Sequence, residues 1–210
     1  MKKLLTFFTV LVAVSVTSQN LQLHKDFERD HLTTTFELFK IDKYGNTFIF
    51  IDFDYNSAVG IGSAYYEIAR VLKTEKMPVG LHIEYNSGLT NAFSYNEAWI
   101  FGANYSKGNR KCGFSAYAGY KAYTGAGIGN FQVTGTWYIH LVENKLTFSG
   151  FADLWTENDL SEKTVFLSEP QLWYHLNNNI SIGGEVEFTN NFAYDFNFNV
   201  RPTLGVKWNI

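Results

Sequence analysis

The sequence predicts an all-β fold: a transmembrane antiparallel up-and-down β-barrel of about 12 strands. Three observations predict it. The first is the last stretch of the chain. Phe196, Phe198, Val200, Pro202, Leu204, Val206, Trp208 and Ile210 alternate with Asn197, Asn199, Arg201, Thr203, Gly205, Lys207 and Asn209. Successive side chains on a strand point to opposite faces, so this is one strand with an apolar and a polar face. It is longer than the usual ~5–6 residues of a globular strand and suits the ~9–11 of a tilted strand crossing a bilayer. The second observation is that such alternation recurs, broken by turn residues, at a spacing of roughly 16 residues. The third is that the connections alternate short and long, as bacterial barrels require, apart from the short first external connection at Glu28 to Asp30.

Taken in order, the chain opens with Met1-Lys2-Lys3, the apolar run Leu4 to Val16, and Thr17-Ser18 before Gln19. A basic start, a short apolar core and small residues at the cut describe an export signal over 1–18, and the run is too short for a spanning helix. Residues 19–210 are then expected to form a single barrel domain. Leu21 to Asp26 sets Leu21 and Leu23 against Gln22 and His24, and His31 to Ile41 sets Leu32, Phe36 and Leu38 against Thr33, Thr35 and Glu37. After the turn at Asp42 to Asn46, Ile49, Ile51 and Phe53 oppose Phe48, Phe50, Asp52 and Asp54. Ser63 to Leu72 follows a Gly-rich loop. In Val79 to Asn86, the residues Leu81, Ile83 and Tyr85 oppose His82 and Glu84. Ser94 to Tyr105, Gly113 to Tyr123, Phe131 to Leu141, Lys145 to Trp155, Thr164 to Leu176 and Ile180 to Thr189 complete the set before the final strand. Pro170 and Pro202 fall inside strand patterns, where each should mark a bulge or lose a ladder bond. Glu97 shares a side with Trp99 and Phe101, so it should sit at an interface or beyond a bulge.

Composition agrees with an exported barrel. Aromatics make up 18% of the residues while Cys112 is the one cysteine, so no internal disulfide framework holds the fold. The net charge of −3 counts Lys2 and Lys3, which leaves the mature chain more acidic still. No basic stripe suited to nucleic acid exists.

Alternation alone leaves the inside face open, since a soluble lipocalin-like barrel shows the same pattern turned inward. Apolar-out is favoured by the width of twelve strands and by the aromatics near strand ends. The many charges of the polar faces point the same way. The lumen then receives Glu37, Phe50, Asp52, Glu84, Tyr138, Glu169, Trp173, His175, Glu185, Glu187 and Arg201, with His82, Lys121, His140, Asp153 and Lys207. Acids outnumber bases there, so neutral or cationic solutes should be admitted and anions disfavoured. Rings beside carboxylates suit nucleoside-like solutes, with Glu169, Gln171, Trp173 and His175 as the sharpest cluster.

The run Thr35 to Asp52, the segments Pro78 to Leu89 and Tyr95 to Tyr105, and the ending Arg201 to Ile210 resemble the family called domain of unknown function 5020. That family in turn resembles the nucleoside-specific outer-membrane channel Tsx. The resemblance implies a twelve-stranded barrel with a narrow pore in the outer membrane of a Gram-negative bacterium. No nucleoside-contacting residue of Tsx matches a position here, and the chain departs from terminal strands of this class by ending in Ile210 rather than Phe. The expected function is a channel for small, neutral, nucleoside-like solutes. Its expected partners are outer-membrane lipid, the solute, and the barrel-assembly machinery through the C-terminal strand. Two other readings stay open: a structural or partner-binding barrel with a plugged lumen, and a lipid-modifying enzyme. The latter needs a Ser–His pair, and no Ser adjoins a His in sequence. No cofactor or metal motif is present; Gly125 to Gly129 lacks the strand-then-helix context of a phosphate loop.

Overall fold

The computed structural model describes residues 17–56, 58–74, 76–95, 97–158, 163–193 and 195–210. Most of the expected export signal lies outside the described residues. The segments are β1 (Thr17–Asp26), β2 (Leu32–Asp42), β3 (Gly45–Asn56), β4 (Gly60–Leu72), β5 (Gly80–Thr90), β6 (Ala98–Gly108), β7 (Cys112–Tyr123), β8 (Asn130–Leu141), β9 (Leu146–Glu157), β10 (Lys163–Ser168), β11 (Gln171–His175), β12 (Ile180–Phe192) and β13 (Asp195–Asn209). Both β10 and β11 lie between β9 and β12, so they are two halves of one stave. Twelve antiparallel staves result. β13 pairs with β1 from Asn20↔Asn209 to Asp26↔Thr203, which closes the barrel.

The two prolines are accommodated differently. Pro170 interrupts the expected Thr164 to Leu176 strand without a bulge: the pairing before and after it keeps one register on both flanks. The Glu169 amide still donates to Phe151, and the Pro170 carbonyl still accepts from Val186, so the loss is the one N–H that proline lacks. Pro202 sits where β1 has just ended. Its carbonyl accepts from the Phe27 amide, and a strand residue's N–H and C=O point the same way, so its missing N–H faces the β1–β2 connection rather than a paired strand.

Hairpin tips follow the chemistry of the expected turns. Val142, Glu143 and Asn144 all have positive φ, and Gly45 adopts φ +133° with its Cα so close to the Val71 carbonyl that a Cβ would lie 1.9 Å from that oxygen. Other bounds shift from expectation. β1 starts earlier, at Thr17, because Thr17 to Gln19 pair with Leu38 to Lys40; β6 starts only at Ala98. Glu97 therefore lies outside the strands, its carbonyl accepting from the Thr124 amide at the mouth, and its charge stays off the apolar face of β6.

Apolar side chains face outward. On β13, Phe196, Phe198, Val200, Leu204, Val206 and Trp208 are exposed while Gly205 is buried. Ring pairs band both ends of this outer face. Tyr85–Trp99 (4.9 Å), Tyr66–Tyr85 (6.1 Å) and Phe188–Phe198 (6.3 Å) lie toward the longer connections; Tyr105–Phe114 (6.0 Å) and Trp137–Phe148 (6.2 Å) lie toward the short turns. Such girdles are where amphipathic rings meet a bilayer's two interfaces. Conversely, the most buried polar side chains, Gln22, His24, Glu84, Asn130 and Ser181 among them, point inward. A polar interior under an apolar shell is the reverse of a water-soluble barrel.

Candidate functional site

The interior is built from the inward side chains, and adjacent staves bring them into register. One row runs Asn209, Asn20, Glu37, Phe50, Glu67, Asn86 and Ala98. Interior side chains then bond mainly along and between staves. Glu37 accepts from Asn20 Nδ2 (2.8 Å), and Asp52 accepts from Thr35 Oγ1 (2.5 Å). Asp54 accepts from both Thr33 (2.7 Å) and Ser63 (2.8 Å).

A first dense cluster fills the β5–β9 side. Glu84, 2% exposed, bonds His82 Nε2 (2.9 Å) and accepts from Asn86 (3.1 Å) and Tyr117 (2.8 Å). The His82 and Tyr117 rings stack at 3.8 Å although β6 runs between their strands. What allows this is the pair of inward glycines between them: His82 pairs with Gly102, and Gly102 with Gly119, so no side chain separates the rings. Gln132 extends the network, donating to Tyr117 (2.9 Å) and accepting from Lys121 (2.7 Å), whose ammonium also lies 4.5 Å over the Trp155 ring. Buried cations beside aromatic faces and carboxylates are satisfied without a single dedicated partner.

A second cluster occupies the β11–β1 side. Trp173, 1% exposed, donates to Gln171 (2.9 Å), takes the Lys207 ammonium over its face (4.4 Å) and meets the edge of His24 (5.5 Å). Gln171 donates onward to Glu185 (2.9 Å). Glu187 accepts from Arg201 (2.5 Å) on the neighbouring strand and from Arg29 (3.1 Å), which arrives from the β1–β2 connection and also holds Asp26 (2.6 Å). Glu169 is within electrostatic reach of Glu185, Glu187 and, from the opposite wall, Asp52.

The four residues read as one cluster thus divide. Gln171 and Trp173 join Glu185, and Glu169 faces the acids. His175 leaves for a separate chain, Ser181–His175 (2.7 Å), His175–Thr147 (2.6 Å) and Thr147–His140 (2.9 Å), near the short-turn end. Tyr138 stands at that end as well, donating to the Asn109 carbonyl (2.6 Å). The Ser181–His175 contact is a Ser–His pair in space, with Ser181 fully buried.

Sequence reasoning passed over Arg29, Tyr65, Glu67 and Tyr95. Tyr65 donates to Glu67 (2.8 Å) on the β4 wall, and its ring lies 5.7 Å from Phe50 and 6.5 Å from Tyr95. The β4 alternation could have pointed to Tyr65 and Glu67, but both of its faces mix polar and apolar residues. Among the described residues no group of three or more acidic, His or Cys side chains could hold a metal ion.

Comparison with solved structures places the fold among outer-membrane porins. The NanC porin superposes with a TM-score of 0.63 at 10% identity, covering 91% of this chain and all of that one. The KdgM porin superposes with a TM-score of 0.56 at 10% identity, covering 92% of this chain and 99% of that one. No curated protein matches the sequence. The match to a family is extensive: residues 18–210 fit the family described as a domain of unknown function, DUF5020, and the chain belongs to it.

Proposed function

We propose that this protein is an outer-membrane channel of a Gram-negative bacterium, admitting small neutral or cationic solutes through an acidic, aromatic-lined lumen. The observation that carries the reading is the uneven filling of the bore. The β5–β9 and β11–β1 sides are densely bonded, whereas six inward residues of β2 to β4, Glu37, Phe50, Asp52, Asp54, Tyr65 and Glu67, keep part of their surface accessible. These six occupy three adjacent rows between mid-barrel and the longer connections, and all are acids or rings; toward the short turns the inward Ala69 and Val71 of β4 are buried. A low-dielectric wall bearing one sign of charge concentrates counter-ions and repels co-ions. The two structural neighbours being porins supports the same reading. Nucleoside-like solutes fit best, because a flat base stacks on such rings while its sugar hydroxyls donate to the carboxylates. Glu37, Phe50 and Asp52 would contact the solute. Glu84, Tyr138, Glu169, Trp173, His175, Glu185, Glu187 and Arg201 would shape the bore around it. Planar-bilayer recording of the refolded protein tests this: discrete conductance with cations favoured is expected, and a silent bilayer overturns it.

A second reading is a plugged structural barrel, favoured by one specific feature. Arg29 leaves the outer connection and spans from Asp26 to Glu187, tying three elements together at the outer mouth. Under that reading wild type is silent and Arg29→Ala conducts.

A further inference from the structure

The rings on the open wall form a series. Phe48 and Phe50 are 6.0 Å apart, Phe50 and Tyr65 5.7 Å, Tyr65 and Tyr95 6.5 Å, and Tyr95 and Phe93 5.9 Å. Phe48 is near the short-turn end of β3, and Phe93 is in the connection after β5, so the series climbs the bore from one mouth to the other. Its upper end opens into a cavity of about 390 Å³ whose lining includes Arg29, His31, Asp54, Ser63, Thr90 and Tyr95. That volume is in the range of pockets that enclose a small organic molecule.

The chemistry of this vestibule is specific. Tyr95 covers the inward side of Gly88, where a Cβ would lie 2.2 Å from its ring, so only glycine there lets the ring lie against the wall. Asp54 keeps acceptor capacity beyond its bonds from Thr33 and Ser63, because a carboxylate offers about four lone-pair sites. His31 Nε2 is buried, has no hydrogen-bond partner, and lies 3.6 Å from Asp54 Oδ1. Aromatic surface beside a carboxylate with free acceptor sites matches a ring with a flat apolar face and hydroxyls on its rim.

We infer that the vestibule formed by His31, Asp54, Ser63 and Tyr95 is a binding site for a neutral, hydroxyl-bearing ring, either a nucleoside or a monosaccharide. It loads the aromatic series beneath it. The inference deepens the channel reading and rests on it for the onward passage of the solute, but not for binding itself. The ring packs on Tyr95, its hydroxyls donate to Asp54, and Tyr65 and Phe50 receive it next.

The test uses the whole barrel, in detergent micelles for equilibrium dialysis and in planar bilayers for current block. The probes are adenosine, glucose and the ringless polyol mannitol. Adenosine or glucose should bind saturably and mannitol should not; which of the two binds assigns the ring's source. Tyr95→Ala should weaken binding about tenfold, the cost of one lost stacking partner, while Tyr95→Phe should retain it. Tyr95 lies outside the strands, and heat-shifted gel mobility checks that each variant is folded. Equal binding of mannitol, or unchanged binding in Tyr95→Ala, overturns the inference. Ion conductance without ring-solute binding refutes the vestibule and spares the channel; saturable binding without conductance refutes the channel and spares the vestibule.

Discussion

Glu187 offers the sharpest energetic test, because two arginines depend on one carboxylate. Its side chain is 9% exposed and accepts from Arg201, 17% exposed, at 2.5 Å, and from Arg29, 39% exposed, at 3.1 Å. A hydrogen bond to a charged, buried partner contributes about 1.5–3 kcal/mol. The Arg29 contact is open to solvent and is discounted to no more than about 1 kcal/mol. Glu187→Ala should therefore lower stability by about 3 kcal/mol, and Arg201→Ala by about 2 kcal/mol, since Glu187 then keeps Arg29. If Arg201 acts through Glu187, the double variant should be no worse than Glu187→Ala alone, giving a coupling of about 2 kcal/mol. Urea unfolding of protein refolded in phospholipid vesicles, followed by tryptophan fluorescence, measures all four species. Losses that simply add would refute the argument, for they would mean that Arg201 stabilises through Thr189 and Asp195 instead.

Further perturbations probe the other links. Leu204→Arg places a cation on the exposed apolar face of β13 and should cost about 2–4 kcal/mol if that face meets lipid; an unchanged unfolding midpoint in vesicles would contradict an apolar-out barrel. Gly102→Ala would set a Cβ 2.2 Å from the Ala118 carbonyl, so it should destabilise by about 1–3 kcal/mol, read as a lower urea midpoint. Glu67→Gln with Asp153→Asn removes two interior acids within electrostatic reach of each other. The zero-current potential in a salt gradient should move toward zero, and a cation preference equal to wild type would rule these acids out as its source. Arg29→Ala should raise single-channel conductance by freeing the outer mouth, whereas an unchanged conductance would place the narrowest point elsewhere.

The fold class was legible because the property that encodes it is local. Alternation over Phe196 to Ile210 and Thr47 to Tyr55 states which side chains share a face, and the turn at Glu143-Asn144 states where the chain reverses; neither needs a distant partner. The same logic placed Glu37, Asp52, Glu84 and Glu187 together on polar faces. It failed on β4, where Tyr65 and Glu67 alternate with Tyr66 and Arg70 and both faces carry a ring and a charge. It could not tell a bulge from a lost bond at Pro170, because that depends on the register of both neighbours.

What only the tertiary structure decided is which inward groups meet. Stacking of His82 on Tyr117 requires Gly102 on β6 and Gly119 on β7 to leave a gap, and the reach of Arg29 to Glu187 requires the first and last staves to close. Sequence period fixes the face of a residue, since that is a property of one strand. Contact across a bore is set by the closure and stagger of twelve, and no single segment carries that information.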